Sequence, residues 1–170
     1  TSNRGGKFGL YVRNADGRGD AECLMTVEAN CVVQDWSRDG KYIAFDSGIG
    51  KNDLWILNLE DGESFLLVES EFDVGYARFS PDGKWIAHTT SPDVAAQQTG
   101  NDGCHADIWK MPAEGGESVK IVRFPARVHD LTWADSGRSL IVATEFGQAH
   151  DDLWQVPLAD SLRAMCNRPC

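Results

Sequence analysis

Two histidines and a set of repeated aspartates are the residues of this chain best suited to chemistry. His105 and His150 each stand two residues before an aspartate, Asp107 and Asp152, and Cys104 adjoins the first. Imidazole and thiolate are good zinc ligands. Yet Lys51 fills the same place before a third aspartate, Asp53, so the pattern belongs to a repeat. Equivalent points on neighbouring repeats lie too far apart for one ion, which predicts no metal site and no cofactor. It predicts instead a shared rim, with Cys104, His105, Asp107, His150 and Asp152 as binding candidates. The repeated aspartate itself reads as a strand-start device, accepting hydrogen bonds from loop backbone N–H groups.

Other chemical signals dissolve on inspection. Asp35, Ser37, Asp39, Gly40 and Asp46 imitate a calcium loop. Repeat copies carry Arg78 and Thr132 where Asp35 stands, so the segment reads as a hairpin turn. Arg18-Gly19-Asp20 spells an adhesion tripeptide but falls where a turn needs Gly and Asp. Cys166 and Cys170, four apart, leave a disulfide, two unrelated thiols or half a ligand set as readings. There is no Gly-x-Ser-x-Gly elbow, no phosphate-cradling Gly-rich loop and no His-Glu-x-x-His zinc helix. No pair of carboxylates stands apart from the repeat as an acid–base couple.

The elements that hold these residues come from two recurring cassettes. One is Trp36-Ser37-Arg38-Asp39-Gly40-Lys41-Tyr42-Ile43-Ala44, which returns as Phe79-Ser80-Pro81-Asp82-Gly83-Lys84-Trp85-Ile86-Ala87 and, weakened, from Trp133 to Ile141. The other is Asp-aliphatic-Trp at Asp53-Leu54-Trp55, Asp107-Ile108-Trp109 and Asp152-Leu153-Trp154, with Gly9-Leu10-Tyr11-Val12 as a degenerate copy. Tyr11 to Trp55 spans 44 residues, Trp55 to Trp109 spans 54, and Trp109 to Trp154 spans 45. A unit of about 44 residues is the length of a four-stranded propeller blade. The long interval carries an insertion of about ten residues, the polar loop from Ser91 to His105. An insertion that breaks a regular repeat is a candidate working loop.

Within a unit, Val74–Phe79 reads as strand A, Asp82-Gly83 as a tight turn, Lys84–Thr89 as B, Asp107–Met111 as C and Ser118–Val122 as D. The fold class is all-β: antiparallel four-stranded blades of a β-propeller, about three of them. Expected bounds are a half-blade over 8–26, blades over 32–68, 74–122 and 128–157, and a tail over 159–170 with a short turn at Asp160–Met165. Trp55, Trp109 and Trp154 are expected to be equivalent and mostly buried between blades. Closed propellers have at least four blades, so the chain is not expected to close as a monomeric ring. A second copy, or the rest of a longer chain that Thr1 opens in mid-repeat, would cover its end faces.

Leu10-Tyr11-Val12-Arg13-Asn14-Ala15-Asp16-Gly17 and Phe79-Ser80-Pro81-Asp82-Gly83-Lys84 resemble the repeats of TolB-like, WD-repeat-like β-propellers. The likeness runs from Phe8 to Leu158. It implies a non-enzymatic module for protein–protein interaction, in a periplasm or outside the cell. The alternative it implies is a gating or scaffold propeller within a larger enzyme, such as a prolyl-oligopeptidase-like hydrolase or an oxidoreductase.

Composition narrows the partners. The chain has 170 residues, with Lys+Arg 16 against Asp+Glu 26, a net charge of −10. Nucleic acid is excluded as a partner on this charge, because counterion release needs an excess of Lys and Arg. An anionic membrane surface is disfavoured for the same reason, and no stretch approaches the roughly 20 apolar residues of a membrane span. The expected partner is a basic or neutral protein. Five cysteines at irregular spacing form no disulfide framework, though they lean towards an oxidising compartment.

Overall fold

Asp-Gly turns set the first strand pairs. In the computed structural model, which describes residues 1–3, 6–49, 51–91, 105–146 and 150–158, Gly40 and Gly83 take φ of 77° and 72°. This left-handed backbone costs glycine nothing. Around each glycine the cassette side chains close the turn. Ser37 Oγ donates to Asp39 Oδ1 at 2.7 Å and accepts from the Tyr42 N–H at 2.8 Å. Ser80 does the same with Asp82 at 2.6 Å and Trp85 at 3.0 Å. The third copy has Ala134 in place of the serine. Its turn becomes a 3-10 segment, Asp135–Gly137, with Asp135 and Ser136 both at positive φ. Asp135 then accepts from Ser139 Oγ at 2.7 Å.

The described residues form thirteen strands. They are β1 (Phe8–Val12), β2 (Glu22–Val27), β3 (Cys31–Trp36), β4 (Tyr42–Ser47), β5 (Asp53–Asn58), β6 (Ser64–Val68), β7 (Asp73–Phe79), β8 (Trp85–Ser91), β9 (Ala106–Pro112), β10 (Val119–Phe124), β11 (Arg127–Ala134), β12 (Ser139–Phe146) and β13 (His150–Pro157). Each sheet is an antiparallel meander: β1-β2, β3-β4-β5-β6, β7-β8-β9-β10 and β11-β12-β13. These are a half-blade, two full blades and a three-stranded blade. The tail over 159–170, its expected turn, and both Cys166 and Cys170 lie outside the described residues.

Three apolar seams stack the sheets. Leu10, Cys31, Ile43, Phe45 and Leu57 join the half-blade to the first blade. Ala44, Leu54 and Ile56 meet Val74, Ala77, Phe79 and Ile86 between the first and second blades. Ala87, Ala106 and Ile108 meet Val128, Leu131, Leu140 and Val142 between the second and third. Alternation along a strand sends neighbouring residues to opposite seams. Leu54 therefore faces the second blade while Trp55 packs back towards the half-blade cluster.

The repeated tryptophans are shallower than expected. Register makes them equivalent: Trp55 stands opposite Phe45, Trp109 opposite His88 and Trp154 opposite Val142. Trp55 and Trp109 are half-buried, and Trp154 is 43% exposed. The fully buried positions are the preceding aliphatics, Leu54 and Ile108, both at 0% exposure. The rings lie in the third strand out from the axis, where each packs on one preceding blade only. Their indoles are nonetheless fixed: Trp109 Nε1 donates to Thr90 Oγ1 and Trp154 Nε1 to Thr144 Oγ1, both at 2.9 Å. The third blade has no fourth strand and no following blade among the described residues. Leu153, equivalent to Leu54 and Ile108 by register, is accordingly 77% exposed.

Candidate functional site

Each blade has two ends, and these gather into two rims. One holds the loops before β5, β9 and β13, where the sequence-nominated residues lie. The other holds the Asp-Gly turns.

At the first rim the three aspartates diverge. Asp107 is 6% exposed and accepts Arg123 Nε and NH2 at 2.7 and 2.8 Å, with Lys120 Nζ at 2.8 Å. The Arg123 hydrogen bonds, and then Lys120, hold its carboxyl down to about 2. The expected loop N–H groups are replaced here by two cations from β10. Asp53 accepts the Ser70 N–H at 3.3 Å and Lys51 Nζ at 2.9 Å. Asp152 is exposed and has no partner among the described residues. His105 is half-buried just before β9, and the His150 backbone pairs with Phe146. Cys104 and the Ser91–His105 insertion, apart from its two end residues, lie outside the described residues. No group of three His, Cys, Asp or Glu able to hold a metal occurs among the described residues. The rim therefore presents single residues on separate blades.

The second rim is denser. The inner strands β3, β7 and β11 meet there through Arg78, whose guanidinium donates to the Gln34 carbonyl at 2.6 Å and to Asp130 Oδ1 at 2.8 Å. The Phe79 N–H donates to Asp35 Oδ2 at 2.8 Å, and Trp133 Nε1 donates to the Arg78 carbonyl at 2.8 Å. The Asp35 of the imitation calcium loop is thus a clamp between blades. Above this network lies a pocket of about 360 Å³ lined by Trp36, Arg38, Arg78, Pro81 and Trp133 among others. Trp36 is 47% exposed, and Arg38 has no hydrogen-bond or ion-pair partner among the described residues.

Beside it, along the seam between the first two blades, runs a groove of about 750 Å³. Tyr42 and Phe65 of the first blade line it with Lys84, Trp85, Pro112 and Glu114 of the second. The three aromatics are each more than one-third exposed. Sequence reasoning passed over this rim because its residues belong to the turn cassette. The available signal was the aromatic after the turn: Tyr42 and Trp85 end in solvent, whereas the third copy has Ser139, which is buried.

Two buried ionisable groups complete the seam between the first and second blades. Asp46, 6% exposed, accepts the Val32 N–H at 3.1 Å and a short hydrogen bond from Gln34 Nε2. Burial pushes its carboxyl up to about 6. His88, 1% exposed, stands where the first blade has Phe45, and neither ring nitrogen has a geometric partner. Burial pushes its imidazole down to about 4.

Repeated antiparallel meanders stacked face to face, each with its first strand innermost about a common axis, define a β-propeller. Comparison with known proteins says which kind. No family model matches the chain. It is 27% identical over 111 residues to a tricorn protease homologue of Streptomyces coelicolor, covering 65% of this chain and 9% of that protein. It is 27% identical over 129 residues to the Tol-Pal system protein TolB of Anaeromyxobacter dehalogenans, covering 75% of this chain and 27% of TolB. Among solved structures, a TolB of Agrobacterium tumefaciens matches with a TM-score of 0.71 at 17% identity, over 90% of this chain and 54% of that one. A prolyl endopeptidase matches at a TM-score of 0.60 and 19% identity, over 89% of this chain and 24% of that one. The chain thus spans under a third of the curated relatives it matches. Its fold is that of a TolB-like β-propeller, with part of a propeller present.

Proposed function

We propose that this stretch of propeller is a non-enzymatic docking module that binds a protein partner through the rim of Asp-Gly turns. The observation that carries the reading is the half-exposed Trp36 beside the unpartnered Arg38, over a pocket fixed by the Arg78 network. Exposed Trp and Arg on a rigid frame are the residue types that dominate binding energy at protein interfaces. A net charge of −10 favours a basic or neutral partner. The likeness to TolB supports a periplasmic setting, and in this reading the candidates Cys104, His105, Asp107, His150 and Asp152 take a secondary part.

The likeness to a prolyl endopeptidase and to a tricorn protease homologue favours a second reading. In it, the blades are the scaffold of a larger peptidase whose chemistry lies elsewhere. The test is photo-crosslinking in cells from position 36, with position 105 as control. A discrete protein adduct from position 36 supports docking at the turn rim. Adducts confined to position 105 contradict it.

A further inference from the structure

We infer that the seam between the half-blade and the first blade holds a binding site for a small, neutral aromatic molecule that carries a hydrogen-bond acceptor. A pocket of about 410 Å³ opens there, lined by Met25 and Val27 of β2, Phe45 and Ser47 of β4, and Asp53 and Trp55 of β5 among others. Phe45 stands opposite Trp55 and Ser47 opposite Asp53, so the four share one face of the first blade. Met25, Val27 and Trp55 pack against the cluster that joins this face to the half-blade. None of the lining residues belongs to the pocket beneath Trp36.

The three equivalent tryptophans reveal what this seam lacks. In the third seam the Phe124 ring of the preceding blade stands edge-on to Trp154, with centroids 5.8 Å apart. In the second, Lys120 Nζ lies 5.0 Å from the Trp109 centroid. Trp55 has neither cover. Val27 takes the place of Phe124: it pairs with Phe8, three residues before Tyr11, as Phe124 pairs with Ala106, three before Trp109. Leu66 takes the place of Lys120, opposite Trp55 as Lys120 is opposite Trp109. The space left open is the one a phenyl ring fills two seams along. A cavity of about 150 Å³ already accepts benzene, so this pocket has room for a ring and a substituent.

The polar chemistry differs at the same place. Trp109 and Trp154 donate their indole N–H groups to Thr90 and Thr144. Ser47 holds that position in the first blade, opposite Asp53 as Thr90 is opposite Asp107. Its hydroxyl donates instead to the Asn30 carbonyl at 3.1 Å. The Trp55 indole N–H has no hydrogen-bond partner among the described residues. A free donor in an apolar pocket selects an acceptor such as a carbonyl oxygen. The lining carboxylates call for no charge on the ligand, since Lys51 holds Asp53 at 2.9 Å and Lys7 holds Glu28 at 2.8 Å.

The probe is acetophenone, titrated into the full chain while the indole N–H resonances are followed by NMR. The Trp55 resonance, assigned with Trp55→Phe, is expected to shift saturably, with a Kd on the order of 1 mM for so small a molecule. The Trp109 and Trp154 resonances, already committed to threonines, should stay in place. Val27→Phe copies the third seam and should weaken binding at least about tenfold by filling the space. Ser47→Thr copies the other two blades and should weaken it about threefold, the worth of one neutral hydrogen bond. If Val27→Phe does not fold, Ser47→Thr decides. Cyclohexyl methyl ketone, which keeps the acceptor without the aromatic ring, and benzoate, which adds a charge, should both bind more weakly. No Trp55 shift up to about 10 mM acetophenone, or undiminished binding in Val27→Phe, overturns the site. Equal binding of either control, or undiminished binding in Ser47→Thr, overturns the ligand class.

Discussion

Replacing His88 by phenylalanine should turn a seam almost indifferent to pH into an acid-stabilised one. The imidazole is 1% exposed, has no geometric hydrogen-bond partner, and is pushed down to about 4 from an ordinary 6.5. Its folded-state pKa is depressed, so the unfolded chain binds the proton more tightly. Stability is lost as pH falls from about 6.5 to about 4 and is level below that. Two and a half units amount to roughly 3 kcal/mol at 1.36 kcal/mol per unit. Asp46, in the same seam, works the other way. Its carboxyl is raised from 3.8 to about 6, so the folded state binds the proton more tightly. Stability rises as pH falls from about 6 to about 4, by up to roughly 3 kcal/mol. The two effects share one window and nearly cancel, which leaves the native chain almost flat across it. The stabilisation from Asp107 is constant across this window and is lost only below pH 3.8. In His88→Phe, which copies Phe45 of the first blade, urea unfolding followed by tryptophan fluorescence should show greater stability at pH 4.5 than at pH 7, by about 2 kcal/mol. Asp46→Asn should show the reverse. A pH dependence unchanged from the native chain in His88→Phe would refute the reasoning, because a buried neutral imidazole cannot be removed without a linkage effect.

Seam and turn positions give further expectations. Leu54→Ala and Ile108→Ala should each cost about 2–5 kcal/mol in urea unfolding, whereas Leu153→Ala should cost under about 0.5 kcal/mol, because that face is open. Asp107→Ala, which strands Arg123 and Lys120, should cost about 1–3 kcal/mol at pH 7. That penalty should be present above pH 3.8 and vanish as pH falls through about 2, where the native carboxyl is protonated. Ser80→Ala removes the hydroxyl that ties Asp82 to the Trp85 N–H and should cost about 1 kcal/mol. Deleting Val94–Gly103 should leave cooperative unfolding in place, since β8 and β9 pair without it.

The strands were legible because blade sequences repeat both signals that define them, the Asp-Gly turn and the alternating apolar run. Trp36-Ser37-Arg38-Asp39-Gly40 and Phe79-Ser80-Pro81-Asp82-Gly83 fold alike down to the serine–aspartate bond. What the repeat hides is the difference between the two faces of a strand. Leu54 and Trp55 look equally buried in sequence, yet only one fills a seam. Site reasoning favoured His105 and Asp107 because their chemistry stands out, while Asp107 proves to be an internal ion pair. Arg78 could not be foreseen as the link between three blades, since its partners, Gln34 and Asp130, are 44 and 52 residues away.

The account turns on which rim meets the partner. Hydrogen exchange of the chain, alone and with the protein captured from position 36, reads this directly. Protection confined to the turn segments Trp36–Tyr42 and Phe79–Trp85 is the predicted result. Protection at His105–Asp107 and His150–Asp152, with the turn segments unchanged, would contradict the assignment of the docking face.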